Sequence, residues 1–167
     1  MAEDTNGQAT GEGVNGAQFM LQRIFLKDLS FESPLGAQVF GKNWQPKINQ
    51  DLNTNVNKID DEHFEVTLKL TINATMDDKT IFLVEVQQAG LFLIKNVEGS
   101  QLAQIFNTMC PQILFPYARE VIDSCVVKGG FPALALPPVN FDALFVRAVQ
   151  QSQAAQAQKD AEHPVTN

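Results

Sequence analysis

The chain has 167 residues, 44% of them hydrophobic and 19% charged, enough for one domain with a core of its own. Its net charge is −7, and no cluster of Lys and Arg stands out. Nucleic acid and anionic membrane surfaces need clustered cations, so neither is an expected partner, and no apolar run reaches the roughly 18 residues of a membrane-spanning helix.

The opening stretch, "MAEDTNGQATGEGVNG", has neither a basic residue nor an apolar core. It does not read as a signal peptide, and residues 1–17 are expected to form a disordered tail. These features together predict a soluble, intracellular protein. Residues 19–32, "FMLQRIFLKDLSFE", read as a strand with a bend, after which Asp28, Ser30 and Glu32 share one face. Residues 47–56, "KINQDLNTNV", carry Ile48, Leu52 and Val56 on one face. In "FEVTLKLTINATM", 64–76, Phe64, Val66, Leu68, Leu70, Ile72, Ala74 and Met76 alternate strictly with polar residues. That is the period of a long half-buried strand. "DDK" at 77–79 is a turn, so 64–76 and 81–94 are expected to pair as an antiparallel hairpin.

The second strand of that hairpin opens "IFLVEV", apolar on both faces except for Glu85. Leu83, Glu85 and Gln87 share one face, and Phe82, Val84, Val86 and Gln88 the other. Burial on both faces is ordinary in a central parallel sheet. In an antiparallel hairpin it suggests that one face meets another chain, and Val84, Val86 and Gln88 are assigned to that oligomer interface.

From Ser100 to Val127 the apolar spacing becomes helical and stays in phase for about seven turns. Pro111 and Pro116 lie within it, which predicts a long bent helix serving as core and subunit interface, and Gly129 and Gly130 end it. "FPALALPPVN" is a proline-rich connector. Asn140 can cap a second, shorter helix through "FDALFVRAVQQSQ". The Gln/Ala part of "QSQAAQAQKDAEHPVTN" can prolong that helix, and 153–167 are expected to form a flexible tail. Strands followed by helices predict an α+β fold, a four-stranded antiparallel sheet with one long and one shorter helix on one face.

No catalytic constellation is visible. His63 and His163 have no metal-ligand spacing to a Cys or to a second His, and "DDE" at 60–62 lacks the spacing of a calcium loop. Cys110 and Cys125 lie fifteen residues apart on one expected helix, a rise of about 22 Å, too far for a disulfide. Neither a metal, a cofactor nor an enzymatic activity is expected. The 12 Phe residues are the unusual feature.

The strings "RIFLKDLSFESP" (23–34), "NWQP" (43–46), "FLVEVQQAGLF" (82–92), "EGSQ" (98–101), "CPQILFPYARE" (110–120) and "GGFPALALPPVNFDALF" (129–145) resemble the SecB family of protein-export chaperones. The likeness runs over residues 19–150 without a visible gap, which places one SecB-like domain at 18–152. The resemblance implies a cytoplasmic homotetramer, a dimer of dimers, that holds unfolded precursor proteins and delivers them to the SecA translocation ATPase. It implies no cofactor or nucleotide, and no membrane insertion. Carried over by motif, Asp28, Glu32, Leu83 and Glu85 would dock SecA from an outer sheet face. Trp44, Ile48, Leu52, Phe141 and Phe145 would line the client groove. A SecB-like chaperone for other clients, such as a toxin–antitoxin pair, is the second reading, and the acids at 28, 32 and 85 favour export.

Overall fold

The computed structural model describes residues 16–162. The expected N-terminal tail falls almost wholly outside them, as does the end of the expected C-terminal tail. Four strands come first: β1 (Gln18–Glu32), β2 (Lys47–Lys58), β3 (His63–Met76) and β4 (Lys79–Lys95). Three helices follow: α1 (Gly99–Asn107), α2 (Met109–Lys128) and α3 (Phe141–Glu162). The strands form one antiparallel sheet in the order β1-β4-β3-β2, which leaves β1 and β2 as its edges.

The strict alternation of β3 is reproduced as burial. Val66, Leu68, Leu70, Ile72 and Ala74 are fully buried on the face toward the helices. Met76 pairs with Lys79, so only Asp77 and Asp78 form the turn into β4, with φ of 51° and 58°. Two consecutive positive φ angles are what a two-residue hairpin loop matched to strand twist requires, and Asp tolerates them. At the turn between β2 and β3, Asp60 Oδ1 accepts backbone N–H bonds from Glu62 at 2.9 Å and His63 at 2.8 Å. The Glu62 amide, then the His63 side chain, hold the Asp60 carboxyl below its ordinary value.

The expected bend in β1 resolves into two bulges, one between Leu21 and Arg23 and one between Leu26 and Asp28. Each adds one residue and reverses the side-chain parity. Phe19, Leu21, Ile24, Leu26, Leu29 and Phe31 therefore all turn toward the helix side, paired with inward residues of β4. Asp28, Ser30 and Glu32 are left on the opposite face.

The long helix is interrupted once. Pro111 has no N–H for the carbonyl of Asn107, and its ring crowds that carbonyl. The chain breaks at Thr108, with φ −122° and ψ −69°, and Pro111 falls in the first turn of α2, where proline is tolerated. Cys110, Leu114, Ala118, Ile122 and Val126 follow at four-residue intervals, and all are fully buried against the sheet. Burial pushes the Cys110 thiol up to about 12, so it stays protonated, and both cysteines are free. Gly130, at φ 86°, closes α2 with the paired bonds Phe131 N–H to Val126 O and Gly130 N–H to Val127 O. Asn140 caps α3, its Oδ1 accepting the Ala143 N–H at 2.9 Å. The helix then continues through the Gln/Ala stretch to Glu162.

The interface assigned to Val84, Val86 and Gln88 needs correction. Val84 and Val86 are fully buried and Gln88 is 3% exposed, all beneath the protomer's own helices. Their face of β4 is the core face, so no second chain can reach them without opening the core. On the other face Leu83, Glu85 and Gln87 are half-buried.

α2 passes close over the sheet at Gly90. A Cβ there would lie 2.7 Å from the Phe92 ring and 3.1 Å from Leu114 Cδ2. Both neighbours are fully buried and cannot retreat. Gly90→Ala is expected to cost about 1–3 kcal/mol by overpacking, read as a lower midpoint in urea unfolding. An unchanged midpoint would mean that helix and sheet have slack at this crossing.

Candidate functional site

Two surfaces collect the residues singled out above. The first is the margin where the β2 edge meets the helices. A cavity of about 240 Å³ opens there between Leu52 and Thr54 of β2, Asn107 at the end of α1, and Phe141, Leu144 and Phe145 of α3. Phe141 is 6% exposed and meets Phe115 edge-on at 6.0 Å, so it forms the floor. Phe145 is half-buried and Leu144 is 44% exposed, so they form the wall and the rim. Three of the five expected groove residues, Leu52, Phe141 and Phe145, thus share one cavity.

Trp44 lies elsewhere. It borders a separate cavity of about 180 Å³ with Val39, Phe40, Phe131 and Pro132. Its ring stacks on Phe131 at 5.3 Å and on Phe82 at 6.5 Å. Phe82 in turn lies 5.0 Å from Phe131 and 5.9 Å from Phe31, and Phe40 stacks on Phe131 at 5.4 Å. Ile48 packs against the core on the same side of β2, between Trp44 and Leu52 in the chain, and borders neither cavity. Phe31, Phe40, Phe82 and Phe131 were not singled out from sequence. Their common signal is the excess of Phe, but no spacing rule joins a strand edge, a loop and a helix stop.

The second surface is the sheet face turned away from the helices. Glu32 pairs across with Leu83, Ser30 with Glu85, and Asp28 with Gln87. Directly opposed residues of an antiparallel pair share a face, so Asp28, Glu32, Leu83 and Glu85 lie side by side. Asp28 and Glu32 are exposed and, among the described residues, form no ion pair. The Glu85 side chain is 28% exposed. Its Oε1 lies 3.0 Å from Lys69 Nζ, and its Oε2 accepts the Thr71 hydroxyl at 3.3 Å. The carboxylate is therefore held toward β3. It is paired without being enclosed, which is how a Glu can sit inside an apolar strand.

Among the described residues no group of three His, Cys, Asp or Glu side chains could hold a metal ion, and no helix is long and apolar enough to cross a membrane. What both surfaces offer is contact: apolar cavities along one edge of the sheet and a carboxylate-bearing face on its outside.

The family described as Preprotein translocase subunit SecB matches residues 12–152. The chain is 52% identical over 153 residues to the Protein-export protein SecB of Cellvibrio japonicus, covering 92% of each. It is 58% identical over 139 residues to the Protein-export protein SecB of Hahella chejuensis, covering 83% of this chain and 87% of that one. A solved SecB-like chaperone of Mycobacterium tuberculosis, in complex with a ChAD peptide from an antitoxin, shares the fold. Its TM-score is 0.59 at 17% identity, over 73% of this chain and 88% of that chain. The sheet order, the helices laid on one face of it and the identity carried over most of its length place this chain in the SecB family.

Proposed function

We propose that this protein is a cytoplasmic export chaperone, active without nucleotide, that holds unfolded precursor proteins and passes them to the SecA translocation ATPase. The observation that carries the reading is the cavity between β2 and α3, apolar at Leu52, Phe141, Leu144 and Phe145, whose wall is a helix with little behind it. Leu144 and Val146 of α3 are 44% and 52% exposed. Beside the cavity β2 is a free edge, whose unpaired backbone groups can take an extended segment as an added strand. Apolar area plus main-chain pairing selects for unfoldedness rather than for sequence. No residue in this account is asked to make or break a bond. We assign the chaperone domain to residues 18–152, with α3 running on past it to Glu162.

The expected assembly is a homotetramer, a dimer of dimers. Support comes from apolar side chains that one protomer leaves bare on its helix side. Leu26 and Leu29 on the β1 edge are 46% and 39% exposed, and Tyr117 and Val127 on α2 are 51% and 55% exposed. Light scattering is expected to give about four times the 18.4 kDa chain mass. A stable monomer at micromolar concentration would remove this reading.

The test of function is suppression of aggregation of an unfolded precursor without ATP, with little binding to its folded form. Equal binding to both forms would refute it. Phe145→Ala is expected to weaken holding about threefold, well under 1.4 kcal/mol, because only the half-buried wall of the cavity is lost. If the melting temperature falls instead while holding is unchanged, Phe145 belongs to the core.

A further inference from the structure

The connector between α2 and α3 is irregular, yet it is fixed at its centre by two side chains of α2. Asp123 Oδ1 accepts the backbone N–H of Leu134 at 2.9 Å and that of Ala135 at 3.2 Å. Arg119, one turn earlier, donates from Nη1 to the carbonyl of Leu136 at 3.3 Å. Three consecutive connector residues are thus anchored by one face of one helix. Among the described residues, no other hydrogen bond holds residues 132–139, and what remains is apolar packing, such as that of Phe131 and Leu136. Pro132, Pro137 and Pro138 have no N–H to donate. Ala135 sits at φ 47°, a left-handed conformation that a residue with a Cβ keeps only where its surroundings impose it.

The two ends of this strap are the two apolar cavities. Phe131, at its start, is 5% exposed and stacks on Trp44 and Phe40. Phe141, just beyond its end, floors the cavity at Leu52 and packs on Phe115, over whose ring the Arg119 guanidinium lies at 6.0 Å. Leu136, between them, is 6% exposed.

We propose that Asp123 is a positioning residue for client holding: by anchoring the strap at Leu134 and Ala135 it sets where Phe131 and Phe141 stand. This rests on the chaperone reading given above. Asp123 itself touches no client, and its effect passes through the backbone of the strap.

The test compares Asp123→Ala with Asp123→Asn in the full-length protein, using a permanently unfolded precursor. Asn keeps an oxygen that can accept both N–H bonds, and Ala does not. Asp123→Ala is expected to weaken holding about fivefold and to shift the emission of Trp44, the chain's one tryptophan, whose ring rests on Phe131. Asp123→Asn should restore most of both. Unchanged holding and emission in Asp123→Ala would overturn the proposal, as would an Asn variant impaired as much as the Ala one. If Asp123→Ala does not fold, amide exchange in the unaltered protein decides. Protected Leu134 and Ala135 amides support the anchor, and exchange at the rate of free amides overturns it. Failure of the unaltered protein to hold precursor would sink the chaperone reading instead, while Trp44 emission and amide exchange would still report on the strap.

Discussion

Replacing Phe82 by Ala should lower the free energy of unfolding by about 3–5 kcal/mol. Phe82 is fully buried at the start of β4, and its ring is shared by Phe31 at 5.9 Å, Phe131 at 5.0 Å and Trp44 at 6.5 Å. These partners come from β1, the connector and the loop before β2. The space left behind cannot close easily, because the rings around it come from three separate segments, and two of them, Trp44 and Phe131, are already packed on one another. Urea unfolding measures the loss, and Trp44 emission reports whether the cluster has opened. The functional consequence should be one-sided. Trp44 and Phe131, which border one cavity, lose the ring on which both rest, whereas the cavity of Leu52, Phe141 and Phe145 lies at the other end of the connector. Holding of an unfolded precursor, measured where the variant is still folded, should therefore fall without vanishing. A loss below 1 kcal/mol with unchanged emission would show that Phe131 and Phe31 hold the cluster without Phe82.

That cluster marks where sequence reading ran out. β3, with strict alternation over its length, could be read residue by residue, because one face is buried from Phe64 to Ala74 and the other, Thr67 apart, only partly. The buried stripe of α2 was equally legible, since five side chains at four-residue intervals cover one sheet. β1 was harder. Its apolar residues recur at intervals of two and three, and only pairing with β4 shows that two bulges produce that rhythm. The break at Thr108 follows from Pro111, but an apolar stripe that stays in phase conceals it. Val84, Val86 and Gln88 were misassigned for a related reason. An apolar pattern says that a face is covered, and says nothing of whether the protomer's own helix or another chain covers it. Of the expected groove residues, Leu52, Phe141 and Phe145 line one cavity. Ile48 stands four residues before Leu52 on an extended strand, where each residue moves the chain on by about 3.3 Å, and Trp44 lies farther off still, in the loop before β2. Asp123 carried no sequence signal, since one carboxylate on a helix face looks like ordinary solvated surface until the connector is seen to rest on it.

Glu85→Lys should weaken association with SecA about tenfold, close to 1.4 kcal/mol, while leaving the fold and client holding in place. Asp28, Glu32 and Glu85 stand on adjacent strands of the face turned away from the helices, around the half-buried Leu83. A surface of that kind attracts a basic segment, speeds encounter with it and makes the association salt-dependent. The Lys69 ammonium at 3.0 Å and the Thr71 hydroxyl at 3.3 Å occupy part of the Glu85 carboxylate in the free protein. A docking cation must share or displace Lys69, which limits the contribution of Glu85 alone. The reversed charge acts twice, because it removes one attraction and places an ammonium beside Lys69, so the patch loses negative potential over several ångströms. The fold should tolerate this. Partly exposed strand pairs contribute little to stability, in the range of surface ion pairs, and the core face of β4 is untouched. The companion variant Lys69→Gln frees Glu85 and should leave SecA binding equal or slightly tighter. Binding measured at low and at moderate salt separates the outcomes. If Glu85→Lys unfolds the protein or splits the proposed tetramer, the Lys69 pair is structural and the docking role is wrong. If SecA binding is unchanged and insensitive to salt, the acidic face is not the dock.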